Sequence, residues 1–453
     1  MNNQLVEARS AAVIASSAPP KGDFWDIVLV AGIFAGIGIL SWLAIGTALF
    51  NPLLAMARRG DWASLALRPT VLWLAMGSLL IFVRTLLWLW YRPAQPASTE
   101  ESPPLSVIIP AYNEGAMVAR AIDSAADAEY PRDRLEILAI DDGSTDDTWQ
   151  HIARAAARHP GLVSVVRLPR NLGKRGALAE GFRRARGEVF VTVDSDSLIE
   201  RGALRAMAGA LRDPRVGAVA GKVVALNRHA GLLPRMVHVR FVLSFDVLRS
   251  AQSVFRTVYC CPGALAAYRA EAVRAVIERW ETQRFLGIPC TYGEDRALTN
   301  FILEQGYDTV YQRLAVVQTL VPETYSKLCR MYLRWDRSFI REELRFARVL
   351  WRRPPALRAA ALCDTTITNL RYPVIYAAIG LWIANALADP SSLARMLIAI
   401  AAASGVYSLY YLRSERSWDF AYGIAYAYFA LFGLSWIFPY AACTVRARGW
   451  LTR

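Results

Sequence analysis

The sequence predicts a largely parallel, Rossmann-like α/β domain that is embedded between transmembrane helices and is followed by amphipathic interface helices. Three observations predict this architecture. β-Branched strands alternate with amphipathic helices from residue 105 onward, and apolar segments long enough to cross a bilayer flank that region. A hydrophobic content of 55% also coexists with a formal net charge of +14, which indicates apolar spans and a polar domain in one chain.

The N-terminal part is predicted to hold a cytosolic tail and two membrane spans. Residues 1–26 are polar and do not resemble a signal peptide, because the first apolar run is too long for one. Residues 27–91 contain the apolar stretches 27–50 and 71–91, the second of which is interrupted only by Arg84. Arg84 is expected to reach an interface, with a place along a polar path as the alternative. The Pro-, Ser- and Glu-rich residues 92–104 predict a linker.

Residues 105–322 are predicted to form the α/β domain. Strands are predicted at 105–110, 135–140, 162–168, 188–193 and 216–224, with helices at 116–128, 146–159 and 176–185. Beyond residue 227 the pattern becomes helical and less regular. The six cysteines show no C-x-x-C spacing and are expected to be reduced thiols.

The C-terminal part is predicted to return to the membrane. Residues 323–355 interleave arginines with large apolar side chains, which is typical of amphipathic helices at a membrane surface; Arg337 and Arg341 are expected to contact lipid phosphate there, with an acceptor role second. Residues 356–453 predict three spans (372–387, 393–412 and 420–445), with 359–370 as a partial fourth, and a basic tail. Three spans would leave that tail outside, against the positive-inside rule, and the sequence leaves the number of spans open. The expected location is the inner or plasma membrane, with the α/β domain in the cytosol.

Two acids, Asp194 and Asp196, end the strand predicted at 188–193. In extended chain a one-residue spacer directs both side chains to the same side, where paired carboxylates can hold a hard divalent cation such as Mg²⁺ or Mn²⁺. A solvated turn is the alternative for an isolated pair. Three further acidic groupings follow strands or open helices, namely Asn113-Glu114, Asp141-Asp142 and Glu294-Asp295. Because ligands bind at the carboxyl ends of parallel strands, four such groupings favour the metal site.

A Gly-flanked pair of cations, Lys174 and Arg175, opens a predicted helix. A helix N-terminus with two cations is suited to an anion, so acids for a metal and bases for phosphate together predict a metal–diphosphate site. The stretch is neither a P-loop nor a dinucleotide fingerprint. Nucleic acid is not an expected partner, because the basic residues concentrate beside apolar segments, where membrane lipids explain them.

The ordered motifs resemble those of family 2 glycosyltransferases, whose fold is GT-A. The matching stretches are Pro110-Ala-Tyr-Asn-Glu114, Ile140-Asp-Asp-Gly-Ser-Thr-Asp146, Asn171-Leu-Gly-Lys-Arg-Gly176, Asp194-Ser-Asp196 and Gly293-Glu-Asp-Arg296. Arg334-Trp335 is similar to the end of the Q-x-x-R-W motif of processive members, although Met331 stands in place of the Gln. The stretches that begin at Gly293 and Arg334 are similar to hyaluronan synthases and to nodulation chitin-oligosaccharide synthases.

The resemblance implies a role for each motif residue. Asp295 is expected to be the general base, and Asp194 and Asp196 are expected to hold Mg²⁺ or Mn²⁺, with Asp196 preferred as the direct ligand. Residues expected to bind the nucleotide sugar are Ala111, Tyr112, Glu114, Asp141, Asp142, Lys174, Arg175, Asp194 and Arg334. Residues expected on the acceptor side are Trp335, Glu294, Cys260 and Cys261, with buried structural thiols as the preferred alternative for the two cysteines.

The implied function is a membrane-embedded, processive, inverting glycosyltransferase. It would polymerise a UDP-sugar, with UDP-GlcNAc favoured, into a β-linked polysaccharide and secrete it through its own helices. Polar residues expected along that path are Arg84, Asp364, Thr365, Thr366, Thr368 and Asn369. The alternatives are a β-glucan or other exopolysaccharide synthase, a single-sugar transferase acting on a polyprenyl phosphate, and a non-enzymatic transport subunit. The replacement by Met331 leaves rate and product length open, and the sequence does not indicate an oligomeric state.

Overall fold

The computed structural model describes residues 51–66, 69–388 and 391–447, together with the single positions Ala31, Ala35 and Ile39. The predicted N-terminal tail lies outside the described residues, as does the predicted span 27–50 apart from those three positions. The end of the basic tail, 448–453, also lies outside them.

Helices and strands follow one another in the order that the sequence pattern suggests. The strands are β1 Leu105–Ala111, β2 Leu135–Asp141, β3 Val163–Arg167, β4 Val189–Val193, β5 Ser197–Ile199, β6 Val216–Ala225, β7 Leu265–Arg269, β8 Arg284–Phe285, β9 Ile288–Pro289 and β10 Asp308–Thr319. The helices are α1 Asn51–Arg58, α2 Trp62–Ala66, α3 Pro69–Trp90, α4 Met117–Ala126, α5 Thr148–Arg158, α6 Gly173–Arg184, α7 Ala203–Ala210, α8 Leu232–Val242, α9 Ser250–Val254, α10 Ala270–Arg274, α11 Ile277–Glu281, α12 Glu294–Glu304, α13 Tyr325–Leu350, α14 Pro355–Ala388, α15 Ser391–Glu415, α16 Ala421–Phe429 and α17 Ile437–Cys443. Short 3₁₀ helices lie at Arg132–Arg134 and Trp418–Phe420, and π-helical turns at Leu243–Arg249 and Ala430–Leu434.

One mixed sheet of eight strands, in the order β3-β2-β1-β4-β7-β6-β10-β5, forms the centre of the molecule. The neighbours β3, β2, β1 and β4 are parallel, β10 is parallel to β6, and β7 and β5 run antiparallel to their neighbours. Every residue of β1 is buried, as expected for a strand covered by helices on both faces. The predicted Rossmann-like sheet is confirmed as a mixed sheet, whose half formed by β3, β2, β1 and β4 is parallel as expected, and a GT-A arrangement is consistent with it.

The five predicted strands are present, and three strands of the sheet were not predicted. β7 and β10 lie in the stretch that we expected to be helical and irregular, and β5 is only three residues long. β10 is interrupted by a register shift between Gln312 and Val316, which breaks the alternation that would reveal a strand in the sequence.

The C-terminal helices differ in number from the expected spans. The stretches 359–370 and 372–387 belong to one helix, α14, which is 34 residues long and contains Pro373. In the part of the chain that the structure describes, no single helix has both the length and the apolar character needed to cross a membrane. The segments Trp418–Leu434 and Ile437–Cys443, which meet at a bend of 43°, pass that test as a pair.

A buried ionic junction, formed by Lys222, Asp246, Arg313 and Glu415, joins the sheet to the end of α15. The ammonium of Lys222 lies 2.9 Å from both Asp246 and Glu415, and the Arg313 Nε atom lies 3.3 Å from Asp246. Asp246 also accepts hydrogen bonds from the hydroxyls of Tyr311 and Ser414. The exposed fraction of Asp246 is 1%. Its negative charge would therefore be destabilised by burial if these partners were absent.

Candidate active site

The two acids that follow β4 lie in a tight turn between β4 and β5 and not in extended chain as expected. The backbone N–H of Ser197 donates to the Asp194 carbonyl at 3.0 Å, which closes the turn. The Asp196 carboxylate accepts hydrogen bonds from the hydroxyls of Ser197 and Thr319. Burial and the nearby Asp194 carboxylate raise the pKa of Asp196, so the two acids still meet at this edge of the sheet.

Lys174 connects this turn to the acids that open α12. Its ammonium lies 2.5 Å from Asp194 Oδ1 and 3.1 Å from Glu294 Oε1. Burial alone would favour the neutral form of Glu294, but Lys174 holds the pKa of that carboxyl below its usual range. Burial alone would favour the neutral amine of Lys174, but the Asp194 and Glu294 carboxylates raise its pKa. The ammonium therefore remains charged.

Asp295 follows Glu294 at the start of α12 and is half-buried. Its Oδ1 atom accepts a hydrogen bond from the Arg296 N–H at 2.7 Å, and its Oδ2 atom accepts one from the Gly263 N–H at 3.3 Å. Burial and the neighbouring Glu294 charge raise the pKa of Asp295. A carboxylate whose proton affinity is raised in this way is suited to general base catalysis.

The close approach of Lys174 and Asp194 requires glycine at position 263. A Cβ atom at this position would lie 2.8 Å from the Lys174 ammonium and 3.2 Å from Asp194 Oδ1. A side chain here would therefore push Lys174 away from Asp194. The sequence contained no signal for this role, because a Pro-Gly pair is typical of any loop.

The loop before α12 is fixed by α13. Gly293 has φ 75°, in the left-handed region, and a Cβ atom at this position would lie 1.9 Å from Ser338 Oγ. Arg341 donates a hydrogen bond to the Tyr292 carbonyl, and Arg337 donates to Thr444 at 2.9 Å. Both arginines are nearly fully buried, so the expectation that they contact lipid phosphate was wrong: they bind protein groups.

The residues expected to bind the nucleotide surround the carboxyl ends of β1 and β2. Asp141 pairs in register with Ala111, and its Oδ1 atom accepts a hydrogen bond from the Ser144 N–H at 3.0 Å. Asp142 accepts one from the Leu172 N–H at 2.7 Å, and burial raises its pKa to about 6. Tyr112 is 37% exposed beside them.

Glu114 lies in the loop after β1, where its backbone N–H donates to Thr148 Oγ1 at 2.8 Å. This hydrogen bond ties the loop to the start of α5. The structure therefore brings the acidic loops after β1 and β2 together.

Arg175 is not brought to the site, although its neighbour Lys174 is. α6 begins at Gly173, so the two side chains leave the first helical turn in different directions. The Arg175 guanidinium lies 5.2 Å from the centre of the Trp280 ring and donates hydrogen bonds to the Trp280 carbonyl and to Gln283. We therefore correct the expectation that Arg175 faces the diphosphate: it holds the loop that leads to α12.

The Arg-Trp pair, Arg334 and Trp335, lies in the first half of α13. Arg334 is close enough to Glu294 to lower the pKa of that carboxyl. Trp335 is 40% exposed, with its ring 6.1 Å from Phe241 and 5.5 Å from Tyr332. Met331 is buried in the apolar core, so a thioether suits the place where the processive motif has Gln.

The two cysteines near the site differ in their surroundings. Cys260 Sγ lies 3.6 Å from Asp295 Oδ2. Cys261 is fully buried in the core, and its backbone N–H donates a hydrogen bond to Thr299 Oγ1 at 3.0 Å. Only Cys260 is in contact with the site.

Three of the polar residues expected along a secretion path, Arg84, Asp364 and Thr368, bind one another. Arg84 donates to Asp364 and to Thr368, each at 2.7 Å, and Tyr259 donates to Asp364 at 3.0 Å. Asn369 donates to Glu343 at 2.9 Å. These bonds connect α3 and α14 to each other and to the α/β domain.

The donors present fit a divalent metal. Asp194 and Asp196 are hard oxygen ligands that meet in one turn, and Asp196 is an acid whose burial beside a second carboxylate favours a nearby cation. Among the described residues, no group of three or more His, Cys, Asp or Glu side chains could hold a metal ion alone. Two carboxylates suit an ion whose remaining ligands come from a diphosphate and water, as Mg²⁺ prefers.

The fold and this site agree with known proteins. Residues 106–277 match the family described as Glycosyl transferase family 2. An N-acetylglucosaminyltransferase of Rhizobium meliloti is 31% identical over 392 residues, which are 83% of this chain and 89% of that protein. A hyaluronan synthase of Streptococcus pyogenes is 37% identical over 245 residues, which are 53% of this chain and 58% of that protein.

A solved structure extends the likeness to the fold. A mannosyltransferase from Pyrobaculum calidifontis in complex with GDP-Man and Mn²⁺ has a TM-score of 0.57 and is 26% identical, covering 81% of this chain and 99% of its own. The mixed sheet, the acidic turn and the lysine beside it define a glycosyltransferase. The chain belongs to glycosyl transferase family 2, among relatives named N-acetylglucosaminyltransferase and hyaluronan synthase.

Proposed function

We propose that this glycosyltransferase is a processive, inverting enzyme that transfers N-acetylglucosamine from UDP-GlcNAc to a growing β-linked oligo- or polysaccharide. One observation supports this proposal above the others: Lys174 bridges Asp194 and Glu294, which brings Asp295 to the turn that would hold the metal and the diphosphate. The sugar is inferred from the relatives named N-acetylglucosaminyltransferase, the similarity to which covers most of this chain.

The donor is proposed to lie across the carboxyl ends of β1, β2 and β4. Uracil and ribose would meet Tyr112, Glu114 and Asp142, while the diphosphate would lie between Lys174 and Arg334. Asp194 and Asp196 would hold Mg²⁺ or Mn²⁺, which when bound neutralises the charge that develops on the departing UDP. Lys174 is held at this point by its ion pairs with Asp194 and Glu294, so a cation is in place beside the proposed diphosphate site before the donor binds.

Asp295 is proposed to take the proton from the acceptor hydroxyl as that hydroxyl attacks the anomeric carbon. Burial and the Glu294 charge raise the pKa of Asp295, and a raised pKa favours proton uptake by a general base. A single displacement inverts the configuration at the anomeric carbon, so an α-linked donor gives a β-linked product. Trp335 offers a half-exposed ring on which the acceptor sugar can stack.

The membrane part of the proposal is supported by the apolar helices on both sides of the α/β domain. We propose that they embed the enzyme in the inner or plasma membrane and let the product leave between them. A polar chain cannot cross hydrocarbon unaided, so a secreting synthase needs protein groups along the path.

Release of UDP by the purified full chain tests the proposal. The protein in detergent with Mn²⁺ should release UDP from UDP-GlcNAc faster than from UDP-glucose, UDP-galactose or UDP-glucuronate, and sizing should show a ladder of oligosaccharides. A single-sugar adduct would contradict processivity. No release from any of the donors would contradict the catalytic proposal.

Removal of divalent metal is expected to stop the reaction. In excess EDTA we expect turnover to fall by about 100-fold, because the leaving diphosphate loses its counter-charge. Added Mn²⁺ or Mg²⁺ should restore it in the wild type but not in Asp196→Asn, and the same assay of UDP release measures both. Full activity in EDTA would contradict the metal role of Asp194 and Asp196.

Replacement of Trp335 by Ala is expected to shorten the product. Loss of ring stacking, worth about 1 kcal/mol, should reduce elongation several-fold while UDP-GlcNAc still binds. Gel sizing of the product and calorimetry with UDP measure the two effects. The matched control is Trp351→Ala, because Trp351 caps the same helix and is 65% exposed. Equal shortening by both variants would contradict an acceptor role for Trp335.

A further inference from the structure

Two hydroxyl side chains, those of Ser197 and Thr319, contact Asp196 and have no role among those assigned so far. Ser197 is the first residue of β5 and Thr319 is the last residue of β10. The two residues lie directly opposite each other in the antiparallel pair that these strands form. Because opposite residues of such a pair have their side chains on the same face of the sheet, the sheet itself holds both hydroxyls beside Asp196.

Both hydroxyls lie close to the same oxygen of Asp196. Ser197 Oγ lies 3.1 Å and Thr319 Oγ1 lies 3.2 Å from Asp196 Oδ1, and the two hydroxyl oxygens are 2.9 Å apart. Each hydroxyl has one proton, so the pair can supply two of these three hydrogen bonds at a time. Every such arrangement leaves Oδ1 accepting at least one hydrogen bond.

The second oxygen of Asp196 is placed differently. Among the described residues no group donates a hydrogen bond to Oδ2, and Oδ2 is not one of the fully enclosed polar atoms that lack a partner. Ser197 is fully buried and Thr319 is 9% exposed, so water competes little for the two hydroxyls. Asp196 is therefore fixed through one oxygen, while the other remains available to a ligand.

We propose that Ser197 and Thr319 are positioning residues that hold Asp196 as a monodentate ligand of the divalent cation, through Oδ2, and that they favour Mg²⁺ or Mn²⁺ over Ca²⁺. The inference rests on the proposed function, because it takes Asp196 as a metal ligand. Hydrogen bonds to a ligating carboxylate orient it and increase the affinity for the metal. Ca²⁺ often binds both oxygens of a carboxylate in a flexible geometry, whereas Mg²⁺ requires near-ideal octahedral geometry. A carboxylate whose Oδ1 is occupied by hydroxyls suits the smaller ion.

Binding of Mn²⁺ to the full chain tests this inference without catalysis. With the protein in detergent and saturating UDP, electron paramagnetic resonance measures the affinity for Mn²⁺, and competition by Ca²⁺ gives the affinity for the second ion. The double variant Ser197→Ala with Thr319→Val removes both hydroxyls and should weaken Mn²⁺ binding about tenfold, because the ligating carboxylate loses its orienting partners. Ca²⁺ binding should weaken by less than about threefold, since Oδ1 then becomes available to that ion.

Two variants serve as matched controls. Thr319→Ser retains the hydroxyl and should bind Mn²⁺ within about twofold of the wild-type affinity. Ser124→Ala removes a hydroxyl that accepts a hydrogen bond from the Ile199 N–H at 3.2 Å, so it weakens the support of β5 at its other end. This variant should keep both the Mn²⁺ affinity and the preference over Ca²⁺. If the double variant does not fold, Thr319→Val alone should show a smaller change in the same direction.

Each outcome decides the inference. It is overturned if the hydroxyl-free variants bind Mn²⁺ as tightly as the wild type does, if Mn²⁺ and Ca²⁺ weaken equally, or if either control weakens Mn²⁺ as much as they do. It is also overturned if the wild type does not bind Mn²⁺ in the presence of UDP. The expected pattern without UDP release from UDP-GlcNAc would leave the inference standing and overturn only the proposed reaction. Metal-dependent UDP release by a protein that lacks this pattern would do the reverse.

Discussion

Replacement of Asp295 by Asn is expected to lower the turnover of sugar transfer by about 10³-fold, because the acceptor hydroxyl then has no base to take its proton. The amide retains the size of the carboxylate and an oxygen that can accept the hydrogen bond from the Arg296 N–H. UDP should therefore bind with unchanged affinity. Assays of UDP release measure the first effect and calorimetry with UDP measures the second.

The control for this variant is Asp127→Asn, because Asp127 is an exposed aspartate at the end of α4 and should tolerate the same change. Normal turnover by Asp295→Asn would show that another group is the base. Loss of UDP binding together with turnover would instead indicate that Asp295 supports the site structurally.

The pH dependence of the wild type gives an independent test of the same residue. A base acts in its deprotonated form, so activity should rise with pH through the pKa of Asp295. Because burial and Glu294 raise that pKa, the acid limb should lie above the usual aspartate value of about 3.9. The residual activity of Asp295→Asn should lack that limb.

The second large effect is expected on stability, at the ionic junction between the sheet and α15. Asp246→Ala should lower the free energy of unfolding by about 3–5 kcal/mol, because Lys222 and Arg313 lose a buried counter-charge. Thermal and urea unfolding in detergent measure the change, with Asp127→Asn again as the control. A change below about 1 kcal/mol would contradict this account of the junction.

The same junction should make stability depend on pH in a defined direction. Lys222 and Arg313 hold the pKa of Asp246 below its usual range despite its burial. Its contribution is therefore complete above the unfolded-state pKa of about 3.9 and is lost as the pH falls through the lower folded-state value. The acid destabilisation of the wild type should accordingly be smaller in Asp246→Ala.

The sequence was sufficient to predict the parallel part of the sheet and the acidic loops at its edge. β1, β2 and β4 are mostly apolar, and acids stand at the end of β2, directly after β4 and three residues after β1. The bulged strand β10 could not be predicted, because its alternation is interrupted and its neighbours in the sheet are distant in sequence. Local patterns contain no information about such pairings.

Local sequence patterns also did not show which individual side chains reach the candidate site. Lys174 and Arg175 are adjacent and equally basic, yet only Lys174 reaches the acids, because adjacent residues of a helix point to different sides. The tight turn at Asp194 also differs from the extended chain that we assumed. The role of Gly263 depends on contacts across the fold, which no motif contains.

Gly293 has a consequence for any attempt to redesign the acceptor. Because Ser338 of α13 occupies the space of its missing side chain, the loop that presents Asp295 and the helix that presents Trp335 share one contact surface. The backbone of Gly293 is thus in direct contact with Ser338, and this contact fixes the distance between Asp295 and Trp335. A chimeric enzyme that takes α13 from a relative should therefore also take residues 291–295 from that relative. The spacing between Asp295 and Trp335 would then be preserved.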